Sequence, residues 1–171
     1  MTDGEAIERH QRASDGFAAV AHAGARWDAP SPCTDWDTRG VIEHVIGFHE
    51  VLLLRPLGVK AHRPREGPAE RWDATAAALF AALAAAEPQS ILPTLTTDVL
   101  VHTWDLAKAF GMDVELDAEL CERALAAALP REEQLRQSDM FGPRVAVPEQ
   151  ATVQAQLLGV FGRDPDWQPS P

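Results

Sequence analysis

Prolines and glycines break this chain into segments that are each about the length of one helix. The breaks fall near residues 27–32, 56–68, 87–93, 111, 130 and 162. Because proline removes a backbone donor and biases the preceding residue away from helix, we expect no helix to cross the proline-containing breaks. Between the breaks alanine is frequent, tyrosine is absent and alternating runs of Val, Ile and Thr are scarce. This pattern favours helices over sheets and predicts an all-α fold.

The segments between the breaks carry apolar residues at helical spacing and residues suited to helix ends. Asp37 and Asp117 are predicted N-caps, and Gly111 is a predicted C-cap. The predicted helices lie at about 3–23, 38–56, 69–86, 93–110, 117–129 and 150–161, and residues 163–171 are predicted to be irregular. We expect the first four to form a bundle and the later elements to pack on it. The chain is thus predicted to be one domain, 1–171, with a core at about 3–112 and an appendage at about 113–171.

Charge and hydropathy limit the partners that this chain can have. It has 15 basic and 26 acidic residues, a formal net charge of -11, which opposes binding to nucleic acid or to an anionic membrane. No apolar stretch approaches the roughly 20 residues that span a bilayer, and the N-terminus lacks the pattern of a signal peptide. We therefore expect a cytoplasmic protein, with Cys33 and Cys121 as free thiols.

Several enzyme classes lack their signatures in this sequence. There is no Gly-rich phosphate loop and no G-x-S-x-G elbow. The pair His49-Glu50 would need a histidine at position 53 to form a zinc-protease motif, and that position is Leu53. His10, His22, His49 and His62 are interpreted as ordinary surface or helix-flank residues.

Asp98 and His102 are the most informative pair, because residues four apart lie on the same face of a helix. His44 occupies a comparable position in the second helix. The neighbours of all three at helical spacing are apolar, which predicts that they point inward; these neighbours are Val41, Val45, Phe48, Leu95, Val99, Leu106 and Ala109. If the two helices pack together, His44, Asp98 and His102 could form a metal site with open positions. On spacing alone, a core histidine bonded to a nearby carboxylate is the more common arrangement, and both alternatives stay open.

Three further residues could support such a site. Asp105 lies three residues after His102 and could orient it by a hydrogen bond, or it could pair with Arg39 or Arg163. Trp36 and Trp104 could wall a pocket or simply fill the core. The sequence does not decide between these roles.

Two segments carry a resemblance to a known family. The stretch 31–37 (SPCTDWD) followed by His44, and the stretch 98–107 (DVLVHTWDLA), resemble the mycothiol-dependent maleylpyruvate isomerase group of the DinB-like superfamily, whose members are metal-binding four-helix bundles. The likeness extends through Phe141-Gly142-Pro143 and 162–167. The family takes one histidine from the second helix and an acidic residue and histidine, four apart, from a later helix. The matching positions are His44, Asp98 and His102, although the isomerase has Glu where this chain has Asp98.

The resemblance implies a DinB-like four-helix bundle with short C-terminal helices and a divalent metal. Zinc suits two imidazoles and a carboxylate best, with nickel and iron as alternatives. By analogy with the family, mycothiol or a similar low-molecular-weight thiol would attack a small electrophilic molecule in isomerisation or S-transfer. A non-catalytic metal- or ligand-binding or regulatory bundle remains an open alternative. A homodimer formed through an exposed apolar helix face is also compatible with the sequence.

Overall fold

A computed structural model describes residues 3–137 and 142–169 of the chain, and within these ranges the fold is all-helical. This confirms the prediction of an all-α fold. Apart from an isolated bridge between Pro30 and Asp37, the described residues form no β-structure. The helices are α1 (Asp3–Ala23), α2 (Thr38–His49), α3 (Pro68–Leu83), α4 (Leu92–Ala109), α5 (Ala118–Ala128), α6 (Glu132–Gln137) and α7 (Val153–Val160).

Local capping explains why the predicted helix ends agree with the structure. The Asp37 carboxylate accepts the N–H of Gly40 at 2.7 Å, and the Asp117 carboxylate accepts the N–H of Leu120 at 3.1 Å. Gly111 follows α4 with φ of 74°, a backbone conformation that favours glycine. A π-helical turn, Glu50–Leu54, continues α2 toward the predicted break.

The C-terminal region differs in detail from the prediction. Helix α7 is shorter than the predicted 150–161, because Thr152 caps its first turn by accepting the N–H of Ala155. Helix α6 was not predicted, since its six residues carry no apolar periodicity. Phe141, part of the family resemblance, lies outside the described residues.

Helix α4 is the centre of the packing. It contacts α1 and α2, and α3 contacts the same two helices. Every residue of α4 from Val99 to Ala107 is buried, so this stretch has no solvent-facing side. Polar groups on it must find partners within the protein, because an unpaired buried polar group is costly. His102 and Asp105 lie in this stretch, so their side chains need hydrogen-bond partners inside the protein.

The shorter helices complete the fold around this centre. Helix α5 contacts α4 and α7, so the C-terminal part of the chain packs back on the core. Between α1 and α3, Phe17 meets the edge of Trp72 with ring centroids 4.9 Å apart. Among the residues that the structure describes, no helix combines the length and the apolar character needed to cross a membrane.

Candidate metal centre

Helices α2 and α4 bring His44, Asp98 and His102 together. One ligand atom from each residue lies within 4.8 Å of the other two. The Nε2 atom of His44 is 3.2 Å from Oδ1 of Asp98, and Nε2 of His102 is 3.5 Å from the same oxygen. The side chains of His44, Asp98 and His102 are 25%, 12% and 6% exposed, so solvent reaches the cluster on the His44 side. That these three residues bind a metal remains a prediction.

A buried chain of polar groups fixes the orientation of His102. Its Nδ1–H donates to Oδ2 of Asp105 at 2.8 Å, which leaves Nε2 facing Asp98. Arg163 donates from Nη2 and Nε to the two Asp105 oxygens at 2.8 and 3.2 Å. Asp105 therefore fills two of the roles left open by the sequence at once: it orients His102 and it pairs with Arg163. It does not pair with Arg39.

The sequence analysis named Arg163 as one possible partner of Asp105 but did not predict that Arg163 is buried. It belongs to the stretch 163–171 that was predicted to be irregular, yet it is buried and reaches back to α4. Gly162 precedes it with φ of 77°, and a Cβ there would lie 2.9 Å from the carbonyl oxygen of Gly142. Glycine is therefore needed both for the conformation and for the close approach that delivers Arg163.

Aromatic rings hold His44 on both sides. The Trp36 ring stacks on it with centroids 4.5 Å apart, and the Phe48 ring stacks with centroids 5.0 Å apart. The Ser31 hydroxyl helps to position Trp36 by donating to its carbonyl oxygen at 2.7 Å. Trp36 thus walls the cluster, whereas Trp104 is buried in the core.

The protonation of the cluster is strongly perturbed. Burial alone would lower the pKa of His102, but the charge of Asp98 and hydrogen bonds with Asp105 and Asp98 raise it to about 9. Burial would raise the pKa of Asp98, but the charge and hydrogen bond of His102 and the hydrogen bond of His44 lower it below its usual range. For Asp105, burial is likewise outweighed by the hydrogen bond of His102 and the charge of Arg163, so its pKa is lowered. The two carboxylates on either side of His102 therefore favour its protonated form at neutral pH.

The donor set fits a divalent metal. Oδ2 of Asp98 is buried and has no hydrogen-bond partner among the described residues. A tetrahedral zinc ion with bonds of about 2.0–2.1 Å keeps neighbouring ligand atoms about 3.3 Å apart. The two separations from Oδ1 of Asp98, 3.2 and 3.5 Å, agree with that spacing, and all three ligand atoms lie within 4.8 Å of one another. The His102–Asp105 hydrogen bond is also the kind of support that metal-bound histidines usually have.

The protein's own thiols are poor nucleophiles. Cys33 lies half-buried in the loop before α2, and burial raises the pKa of its thiol. Cys121 is buried in α5, and burial raises its pKa to about 11. Because the thiolate is the reactive form, neither cysteine is activated.

The interpretation of His10 and His49 as surface or flank residues was wrong. Both are fully buried, and their Nε2 atoms are 3.1 Å apart. The Nδ1–H of His49 donates to the carbonyl oxygen of Val45 at 2.6 Å, and Nδ1 of His10 is 3.0 Å from the Thr96 hydroxyl. The sequence carried a signal for this: His10 lies three residues after Ile7 and seven before Phe17, on the apolar stripe of α1. His22 and His62 are exposed, as predicted.

Comparison with known proteins finds two relatives of this chain. "Uncharacterized protein Rv0738" and "Uncharacterized protein MT0763", both from Mycobacterium tuberculosis, are each 39% identical to it over 143 residues. The match covers 70% of this chain and 75% of each relative. The chain therefore belongs to the same family as these two proteins. No family model and no solved structure matches it.

Proposed function

We propose that this protein binds a divalent metal ion through His44, Asp98 and His102 and uses it as a thiol-dependent isomerase or S-transferase. The observation that carries the proposal is the convergence of two imidazoles and one carboxylate within 4.8 Å, with Oδ2 of Asp98 left without a partner among the described residues. The proposed site lies within a DinB-like four-helix bundle. The mutual contacts of α1 and α2 with both α3 and α4 support that architecture.

Zinc is the metal that this donor set suits best, with nickel and iron as alternatives. Three protein ligands leave at least one position open, as in catalytic zinc sites. When bound, the metal would act as a Lewis acid and lower the pKa of a coordinated thiol or water. The partial exposure of His44 supports an approach for small molecules from that side.

The residues of this chain have distinct parts in the proposal. His44 and His102 supply Nε2 atoms, and Asp98 supplies carboxylate oxygen. Asp105 holds the proton on Nδ1 of His102 and so keeps Nε2 directed at the site, while Arg163 holds Asp105. The rings of Trp36 and Phe48 restrict rotation of His44 and exclude water from its faces.

The substrates are proposed from the family resemblance. A low-molecular-weight thiol such as mycothiol would be the cosubstrate, and a small electrophilic molecule would be its target. Because the thiols of Cys33 and Cys121 have raised pKa values, the nucleophile in this proposal comes from outside the chain. Such a reaction would take place in the cytoplasm.

Metal binding is tested first, with protein purified without an affinity tag. Elemental analysis, followed by titration with zinc and nickel, should give about one ion per chain. His44→Ala and His102→Ala should lose this uptake, whereas His62→Ala, which removes an exposed histidine, should retain it. Uptake below about 0.2 ion per chain, or normal affinity in both ligand variants, would reject the proposed site.

Catalysis is tested separately with the metal-loaded protein. It is incubated with mycothiol or a simpler thiol and a panel of electrophiles, and adducts or isomers are measured by mass spectrometry. Product above the uncatalysed rate that disappears in His102→Ala supports the enzyme. Metal uptake with no turnover across the panel would favour the non-catalytic binding bundle instead.

A further inference from the structure

A polar pocket separate from the candidate metal centre lies between α2, α3 and the segment that leads into α3. Its volume is about 290 Å³. Three arginines line it: Arg39 in the first turn of α2, Arg65 in the loop, and Arg71 near the start of α3. Glu43 and Glu66 also line it, so the lining side chains carry three positive and two negative charges.

The three arginine side chains of this pocket have few hydrogen-bond or ion-pair partners. Arg39 and Arg65 are exposed, and their side chains form no hydrogen bond or ion pair with any residue that the structure describes. Arg71 lies 4.0 Å from Glu50, at the limit of an ion pair, and its Nε is buried without a hydrogen-bond partner in the described ranges. Leaving a buried charged donor unpaired is costly.

This cluster places three arginines around one pocket of an acidic protein. The chain has 15 basic and 26 acidic residues, and many of its other arginines are paired with carboxylates on the surface. The carboxylates of Glu43 and Glu66 offset part of the charge of the three arginines, and the lining keeps a formal excess of one positive charge. The planar guanidinium fork matches the oxygens of phosphate and carboxylate groups, often with two parallel hydrogen bonds.

We propose that this pocket binds the oxyanion group, phosphate or carboxylate, of a small molecule, with Arg71 as the central ligand residue and Arg39 and Arg65 as its flanks. The volume of about 290 Å³ lies just below the range of about 300–1,000 Å³ that small-molecule sites occupy, which fits a compact ligand. The site is separate from the metal chemistry. Arg39, Glu43 and Ile46 line it from α2, whereas the next residue after Glu43, His44, lies about 100° further around the helix.

Binding is tested on the full chain by calorimetry and by NMR of the arginine side-chain N–H signals. Inorganic phosphate and succinate are titrated separately, with chloride held constant, which distinguishes a phosphate site from a carboxylate site. We expect saturable binding of one of them at one ion per chain, with the Arg71 Nε–H signal shifting along the same curve. Arg71→Gln should weaken the binding at least about tenfold.

Two further variants control for misfolding of Arg71→Gln and for the loss of a positive charge outside the pocket. If Arg71→Gln does not fold, the double variant Arg39→Gln/Arg65→Gln tests the same site from exposed positions. The matched control is Arg55→Gln, which removes one exposed positive charge outside the pocket and should bind like the unmodified protein. The proposal is overturned if neither anion binds saturably, if the Arg71 signal does not shift, or if Arg55→Gln weakens binding as much as Arg71→Gln. Retention of anion binding in His102→Ala would show that the pocket does not depend on the metal site.

Discussion

Arg163, in the segment after α7, donates two hydrogen bonds to the buried carboxylate of Asp105 in α4. The pair joins the C-terminal part of the chain to the helix that carries two of the three proposed metal ligands. Because Asp105 also accepts from His102, the orientation of that ligand depends on a residue 61 positions further along the chain.

Replacing Arg163 by Ala should destabilise the fold. The change breaks a buried ion pair and leaves the fully buried Asp105 with His102 as its remaining partner; removing one partner of a buried pair typically costs about 3–5 kcal/mol. The measurement is the free energy of unfolding in urea. Arg144→Ala is the control, because it breaks the more exposed ion pair with Glu132 and should cost less than about 1 kcal/mol. Equal losses in the two variants would contradict the importance given to the Arg163–Asp105 pair.

Asp105→Asn should weaken metal binding without removing a ligand. The amide is a weaker partner for the Nδ1–H of His102, and loss of such support typically costs about 10- to 100-fold in metal affinity. A competition titration with a chromophoric chelator measures this affinity on the folded protein. Asp113→Asn is the control, since Asp113 is exposed and pairs with Lys108 at the end of the same helix. Unchanged affinity in Asp105→Asn would show that His102 needs no such orientation or does not bind the ion.

Metal affinity should increase with pH. His102 has a pKa raised to about 9 in the absence of an ion, so below that pH a metal must displace the proton from Nε2. The apparent affinity should therefore rise by up to about tenfold per pH unit between pH 6 and 8. Calorimetry in buffers of different ionisation enthalpy measures both the affinity and the released proton. A flat profile without proton release would be inconsistent with His102 as a ligand.

Stability should fall in mild acid because of the buried pair His10 and His49. Burial and the neighbouring His49 lower the pKa of His10 to about 3, and burial lowers the pKa of His49. As the pH falls below about 6.5, the unfolded chain binds protons that the folded chain cannot, so the free energy of unfolding decreases. In His10→Gln the slope between pH 6 and 4 should drop by up to about 1.4 kcal/mol per unit. If this variant keeps the full slope in urea unfolding, the pair does not account for the acid sensitivity.

The features that the sequence predicted well are those decided by residues near each other in the chain. Asp37 and Gly111 define helix ends through contacts or conformations within a few residues. Asp98 and His102 are brought together by the helix itself. His44 required the pairing of two helices, which spacing alone left open and the family resemblance supplied.

The features that the sequence left open or missed depend on contacts between distant parts of the chain. Arg163 meets Asp105 only because the chain after α7 returns to α4. His10 and His49 pair across two helices, and although each lies on an apolar stripe, histidine at such a place is equally compatible with a helix flank. Helix α6 is too short and too charged to show a periodic pattern.

The burial of α4 on all sides from Val99 to Ala107 also limits how this protein can be redesigned. Libraries intended to change the proposed metal or substrate preference would bury polar groups without partners if they were randomised along that stretch. Diversity is better introduced at Trp36 and Phe48, which border the accessible side of the cluster and carry no buried charge.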